Sequence, residues 1–269
     1  MTPTIDVRAV PSGAAAVSRR HCNLLGAQFD LVSYADVLAI IEQWHASGIS
    51  SYIAVANPHS VRLAQHDPEM RAALEGAGLT IPDGIGVVIA ARILGYPNSG
   101  RVAGPTLVLK VCDAGRRPGY RHFFYGGREG IAERMAENLS GSFPGLQVAG
   151  CFSPPFRQAT DGEDQETVAR INATRPDIVW VGLGAPKQEK WMAAHAGRIR
   201  CTAMLGVGAA FDFHSGSVPW APRWMRELGL EWVHRVAREP ARVVPKALDG
   251  ARLVMSAMAQ GATRVFRDV

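Results

Sequence analysis
Short apolar runs alternate with stretches of helical periodicity over most of this chain, and that rhythm restricts the fold more than any other feature. Residues 52–56 (YIAVA), 79–81, 122–125 (HFFY), 146–152, 177–183 (DIVWVGL) and 202–207 read as strands. Runs this short and this continuously apolar fit strands covered on both faces. Helical patterns lie between them, over residues 86–94, 129–139, 163–173 and 187–198. Ser33 with Asp36 resembles a capping box, and Asp67-Pro68 reads as an N-cap followed by a first helical residue. Residues 23–31 (NLLGAQFDL) look like strands around a turn. The expected fold class is α/β: a Rossmann-like, mostly parallel sheet with helices on both faces.

At 269 residues the chain fits one large α/β domain or two small ones. With 47% hydrophobic and 20% charged residues, a mainly disordered chain or a coiled coil is excluded. No run reaches about 18 uninterrupted apolar residues, so no membrane-crossing helix is expected. Residues 1–20 lack an apolar core of signal-peptide length, and the expected location is cytoplasmic. Cys22, Cys112, Cys151 and Cys201 are widely spaced and form no C-x-x-C, so buried thiols are expected.

The pattern changes after Pro222, where no strand-like run remains. Residues 224–228, 231–238 and 240–246 read as short helices, and a last helix carries Leu248, Ala251, Met255, Met258, Ala262 and Val265 as an apolar stripe. Lys246, Asp249, Arg252, Ser256, Gln260 and Arg267 occupy much of its remaining surface. From Pro219 onward there are nine basic and five acidic residues, so this stretch holds +4 of the net charge of +5. A basic end suits phosphate, anionic lipid or nucleic acid, or is simply a solvated helical face. Aromatic stacking motifs for nucleic acid are absent, so no nucleic-acid partner is expected. The expected organisation is a flexible arm over 1–22, a Rossmann-like body over 23–218, and a basic helical appendage over 219–269.

In open parallel sheets ligands bind beyond the carboxyl ends of the strands. Four loops there carry polar groups or glycines. Asn57 in the first contacts a sugar or base, or caps a helix; His59 beside it reads as a surface histidine. Asp83, in P-D-G-I-G, is a general base or a turn residue. Gly126 and Gly127 admit a phosphate to a helix N-terminus, or form a tight turn. In G-L-G-A-P-K-Q-E, Gly184, Lys187 and Gln188 hold a nucleotide or diphosphate, or Lys187 and Gln188 are a surface pair. Residues 208–213 form a further loop at this edge. No metal-ligand spacing is visible: the acidic stretch 161–164 reads as a solvated loop, and neither a metal nor a cofactor is expected. A nicotinamide oxidoreductase is disfavoured, because G-x-G-x-x-G after the first strand is missing.

Taken together, PDGIGVVIAARILG, FFYGGREG, RPDIVWVGLGAPKQEKW, GVGAAFDFHSG and APRWMRELGLEWVHRVAREPAR resemble the WecG/TagA/CpsF family of bacterial glycosyltransferases over residues 23–242. The resemblance implies an inverting, metal-independent transferase. It would move N-acetylmannosamine, its uronic acid or glucose from a UDP-sugar to a polyprenyl-diphosphate-linked saccharide, for bacterial surface or exopolysaccharide. By the same resemblance Asp83 is the base, Asn57 and Gln188 bind substrate, and Arg235, Arg238 and Arg242 approach the diphosphate. The appendage would cover the site and meet an anionic membrane surface, which makes the protein peripheral at the inner face of the cell membrane; an oligomer is compatible with this. Two positions depart from the family pattern: Val55 stands where many members have Thr, and Trp220 where many have Arg. The alternative reading is a noncatalytic nucleotide-sugar or polyprenyl-phosphate binding protein.

Overall fold
The computed structural model describes residues 20–96 and 100–265. Most of the arm expected over 1–22 lies outside the described residues, although its last two residues open the first strand. That strand, β1 (His21–Leu24), forms an antiparallel hairpin with β2 (Ala27–Asp30). Leu25 and Gly26 both have positive φ, as a two-residue hairpin turn of matching twist requires.

Six further strands form one parallel sheet: β3 (Ser51–Ala56), β4 (Leu79–Pro82), β5 (Arg121–Gly126), β6 (Gln147–Phe152), β7 (Ile178–Gly182) and β8 (Ala203–Gly206). Their order across the sheet is β4-β3-β8-β7-β5-β6. The hairpin covers the β4 edge, where Asp30 Oδ2 accepts from the Thr80 N–H at 2.7 Å. An exposed ladder edge would invite pairing with other chains, and this contact blunts it.

Alternate residues of each strand feed cores on opposite faces, so the α/β class read from the sequence holds. Ile53, Val55, Phe124 and Trp180 pack with α1 (Tyr34–Ala46), α5 (Gly104–Gly115), α6 (Ile131–Ser142) and the short α9 (Ala210–His214). On the other face Phe123, Tyr125, Val179 and Val181 meet α7 (Asp161–Ala173) and α8 (Lys187–His195). Ala54 and Ala56 lie against a third cluster with α2 (Pro58–His66), α3 (Pro68–Glu75) and α4 (Ile85–Ile93).

Three local expectations change. First, α5 fills a stretch left unassigned above; its Pro105 sits in the first turn, where a missing N–H costs nothing. Second, residues 161–164 are the first turn of α7 rather than a loop, because Thr160 and Glu163 close a capping box. Asp164 there is bound by His195 at 2.8 Å and Arg198 at 2.7 Å. Third, the two expected last helices are one, α12 (Pro240–Val265), with Pro245 inside it.

Two short helices precede α12: α10 (Arg223–Glu227) and α11 (Glu231–Arg238). The inner row of α12 is not the one its hydropathy suggested. Asp249, Leu253 and Ala257 are buried, whereas Leu248, Met255 and Met258 are exposed. Leu253 and Ala257 complete the third core cluster. A Cβ added at Gly86 of α4 would stand 3.5 Å from the Gly250 Cα, so the two helices meet backbone to backbone. Among the described residues no helix is long and apolar enough to cross a membrane.

Candidate active site
Because the six strands are parallel, the loops after β4, β3, β8, β7 and β5 leave one edge of the sheet in that order. Asp83 directly follows β4, and its N–H donates to the Ala56 carbonyl at 2.8 Å, which sets it beside Asn57 at the end of β3. Gly84, at φ +88°, turns the chain into α4, a conformation a side-chain-bearing residue rarely takes.

The Asp83 carboxyl is pushed up to about 6, first by burial and then by the negative charge of Glu231. Arg101, the Gly84 N–H and Arg235 act against that rise. Glu231 and Arg235 are one turn apart on α11, so this helix presents both signs of charge to the carboxylate. Charges of the C-terminal segment therefore reach the expected base. Arg101 reaches the site because the Val102 N–H donates to the Pro82 carbonyl at 2.9 Å. Its Nη2 donates to the Arg226 carbonyl at 2.8 Å and so ties the site to α10. Tyr34 belongs to the same cluster. Its hydroxyl accepts from the Ala103 N–H at 2.8 Å, and burial raises its pKa, with the Asp83 charge adding to the rise.

Asn57 caps α2: its Oδ1 accepts from the N–H groups of His59 and Ser60 at 3.0 and 3.2 Å. The capping alternative thus holds, and Nδ2 remains the group Asn57 offers a ligand. His59 is not a plain surface residue, since its Nδ1 lies 2.7 Å from Asp249 Oδ2 on α12.

Gly126 and Gly127 both have positive φ, and the Gly127 N–H donates to the Gly182 carbonyl at 3.0 Å. A Cβ at Gly126 would stand 2.6 Å from the Gly182 carbonyl carbon, so only glycine allows this approach of β5 to β7. Gly130 caps α6 without a side-chain acceptor, which leaves first-turn N–H groups for an anion. Gly184, at φ +75°, closes the β7 turn, and its carbonyl accepts from the Gln188 N–H at 3.0 Å.

Lys187 and Gln188 do not form a surface pair. Lys187 is exposed; its Nζ donates to the Phe156 carbonyl at 3.3 Å and lies 4.7 Å from that ring. Gln188 is buried against the end of β8, where its amide nitrogen is 3.1 Å from a Cβ position at Gly206. Glu189 beside it is fully buried, and that burial raises its pKa.

Of the three arginines expected near a diphosphate, the structure brings Arg235 to the site. Its guanidinium lies 5.4 Å from the Phe213 ring. Arg238 is exposed in the last turn of α11, and the Arg242 side chain lies outside the described residues. The two departures from the family pattern take different places. Val55 is buried in the core. Trp220 stacks on Phe213, ring centroids 6.1 Å apart, and carries the Arg226 guanidinium 3.6 Å from its ring. An arginine is thus held near this position by the tryptophan instead of occupying it. Among the described residues no three His, Cys, Asp or Glu side chains are grouped to hold a metal ion.

Sequence reasoning missed Arg101, Tyr34, Glu231 and Glu189. The useful signals were an Arg shortly before the Gly-Pro start of a helix, and a Glu four positions before Arg235.

Several known proteins are similar to this chain. A protein of Bacillus spizizenii named N-acetylglucosaminyldiphosphoundecaprenol N-acetyl-beta-D-mannosaminyltransferase is 34% identical over 195 residues, covering 71% of this chain and 73% of its own. Proteins of the same name from Bacillus subtilis and Staphylococcus aureus are 30% and 28% identical, covering 79% and 82% of this chain and 80% and 86% of theirs. The pattern described as "Glycosyl transferase WecG/TagA/CpsF family" matches residues 22–266, and the chain belongs to that family of glycosyltransferases.

Proposed function
We propose that this protein transfers N-acetylmannosamine, or a closely related hexose, from a UDP-sugar to an N-acetylglucosamine carried on a polyprenyl diphosphate, with inversion at the anomeric carbon. The observation that carries this reading is the setting of Asp83, a strand-end carboxyl raised to about 6 beside the α11 charges Glu231 and Arg235. Such a group is ionised at neutral pH yet basic enough to take a proton from a hydroxyl in the transition state. The names of the relatives supply the sugar and the acceptor. The UDP donor and the inversion rest on the family resemblance. That the relatives are transferases favours turnover over a noncatalytic binding role.

The chemistry follows from the placement. Asp83 accepts the proton of the acceptor hydroxyl while that oxygen attacks the anomeric carbon from the side opposite UDP. The bond from that carbon to the diphosphate oxygen breaks, and the electron pair leaves with UDP. Arg101, Arg235 and the first-turn N–H groups of α6 meet the charge that develops there. Asn57 Nδ2 and the Gln188 amide hold the donor. With α10 and α11 over the site, water is kept from the anomeric carbon and donor hydrolysis is limited.

A polyprenyl-linked acceptor would bring the enzyme to a membrane. Leu228, Trp224 and Trp232 are exposed on or beside α10 and α11, and Val244, Leu248, Met255 and Met258 on α12. Exposed tryptophans and a basic segment suit the boundary of an anionic bilayer at its cytoplasmic face. The deciding experiment offers UDP-N-acetylmannosamine, its uronic acid and UDP-glucose with a synthetic N-acetylglucosaminyl-diphospho-lipid, and weighs the lipid product. We expect a gain of one N-acetylhexosamine; no transfer from any donor overturns the proposal.

A further inference from the structure
Two neighbouring side chains at the start of α8 are buried and only partly satisfied. Gln188 is 4% exposed and Glu189 0%. Gln188 Nε2 donates to Glu189 Oε1 at 2.9 Å. Gln188 Oε1 and Glu189 Oε2 have no hydrogen-bond partner among the described residues. Folded proteins rarely leave buried oxygens unpaired, and each exception calls for a function.

The pair has a polarity. Glu189 Oε1 accepts from the amide NH2, which turns the Gln188 carbonyl the other way. That carbonyl oxygen lies 3.4 Å from the Cβ position of Gly208, and the Gly184 Cα is 4.0 Å from the same point. Gly184 and Gly208 both have positive φ and end the turns after β7 and β8. The oxygen thus faces the place where two side-chain-free turns meet, one strand away from β3 and its Asn57.

We propose that Glu189 is a positioning residue, which locks the Gln188 amide so that its carbonyl accepts a hydrogen bond from an N–H or O–H group of the nucleotide sugar. This rests on the nucleotide-sugar reading above. A Gln188 free to flip would offer NH2 or carbonyl alike and would lose the preference for a donor group. Two parts of the ligand carry suitable groups: the imide N–H of uracil, and the hydroxyls or acetamido N–H of the sugar.

The test compares wild type, Glu189→Gln, Gln188→Met and the double variant for melting temperature, donor KM and kcat, with UDP and N3-methyl-UDP as competitors. Glu189→Gln should raise the donor KM about tenfold, the size expected for one lost hydrogen bond, and lower kcat much less. Gln188→Met should do the same, and the double variant should be no worse than Gln188→Met, because Glu189 acts through Gln188. If the partner is the imide N–H, methylation at N3 weakens competition against wild type but hardly against Glu189→Gln. If it is a sugar group, the two competitors bind alike and only the UDP-sugar loses affinity. Either result supports the proposal. An unchanged KM, additive losses in the double variant, or a Glu189→Gln protein that no longer folds overturns it. A wild type that neither binds nor uses a UDP-sugar overturns the proposed function and this inference together.

Discussion

Asp249 of α12 lies 2.7 Å from His59 of α2, Oδ2 to Nδ1, and His59 stands two positions after Asn57. The carboxylate is 1% exposed and also meets Arg62 at 3.1 Å. The C-terminal helix is thereby fastened to the loop that ends β3. Asp249→Ala should lower stability by about 1–2 kcal/mol, because it removes a buried polar contact while the half-exposed Arg62 can turn to water. Proteolysis within α12 should quicken and transfer should slow. An unchanged melting temperature would show that the contact fastens nothing.

Asp83→Asn should cut kcat by about two to four orders of magnitude and leave UDP binding near wild type, since an amide cannot take the proton. The same substitution should stabilise the fold. Folding raises the Asp83 pKa from 3.8 to about 6, so the folded state holds this proton more tightly than the unfolded chain does. The ionised carboxylate therefore costs nothing well below pH 3.8, costs more as pH rises to about 6, and has its full cost above. Asn carries no such cost. The variant should melt higher than wild type at pH 7.5, by on the order of 1 kcal/mol after allowing for partial solvent contact, and should lose that advantage near pH 4.

The charges around Asp83 give the acid limb of the pH–rate profile a sign. For wild type, kcat/KM should fall as pH drops through about 6. Glu231→Gln removes a neighbouring negative charge and should move that limb to lower pH. Arg101→Gln removes a positive one and should move it to higher pH. Shifts in the same direction for both variants would separate Asp83 from the limb.

The strand–loop edge was legible from sequence because it depends on local pattern: an apolar run, a glycine, a polar residue. Asp83, Asn57 and Gln188 each followed such a run. Arg101, Tyr34 and Glu231 were not legible, because they arrive by long-range contacts. Val102 pairs with Pro82, Tyr34 with Ala103, and α11 folds back across most of the chain length. Hydropathy misread α12 for a related reason. Its buried row contains Gly250 and Asp249, which score as non-apolar, and its most apolar row faces out. A glycine that meets another glycine, and a carboxylate that meets a histidine, leave no trace in a one-dimensional pattern.

Activity should survive excess EDTA, because in the proposed mechanism arginines and helix N–H groups meet the diphosphate charge. Loss of turnover on chelation, restored by Mg²⁺ or Mn²⁺, would contradict this. Asp212, in the short helix after β8, would then be the first residue to substitute.

Lipid contact is best tested on the outer row of α12. Cutting the chain before Pro219 would also remove Leu253 and Ala257 from a core cluster and so unsettle the body. Leu248→Glu/Met255→Glu/Met258→Glu should leave the melting temperature within a few degrees of wild type, because these side chains are 52–60% exposed. Binding to phosphatidylglycerol vesicles at low salt should fall, and so should transfer to a lipid acceptor in bilayers. Undiminished vesicle binding would assign the row to another contact.

The backbone contact between Gly86 and Gly250 divides labour within α12. Its inner row fixes register through close contacts: Gly250 against Gly86, Leu253 and Ala257 in the core, Asp249 against His59. The outer row bears none of that constraint. Val244, Leu248, Met255 and Met258 can therefore be exchanged with little consequence for the contacts that hold the helix. Freedom to vary and the duty of anchorage are thus written on opposite sides of one helix.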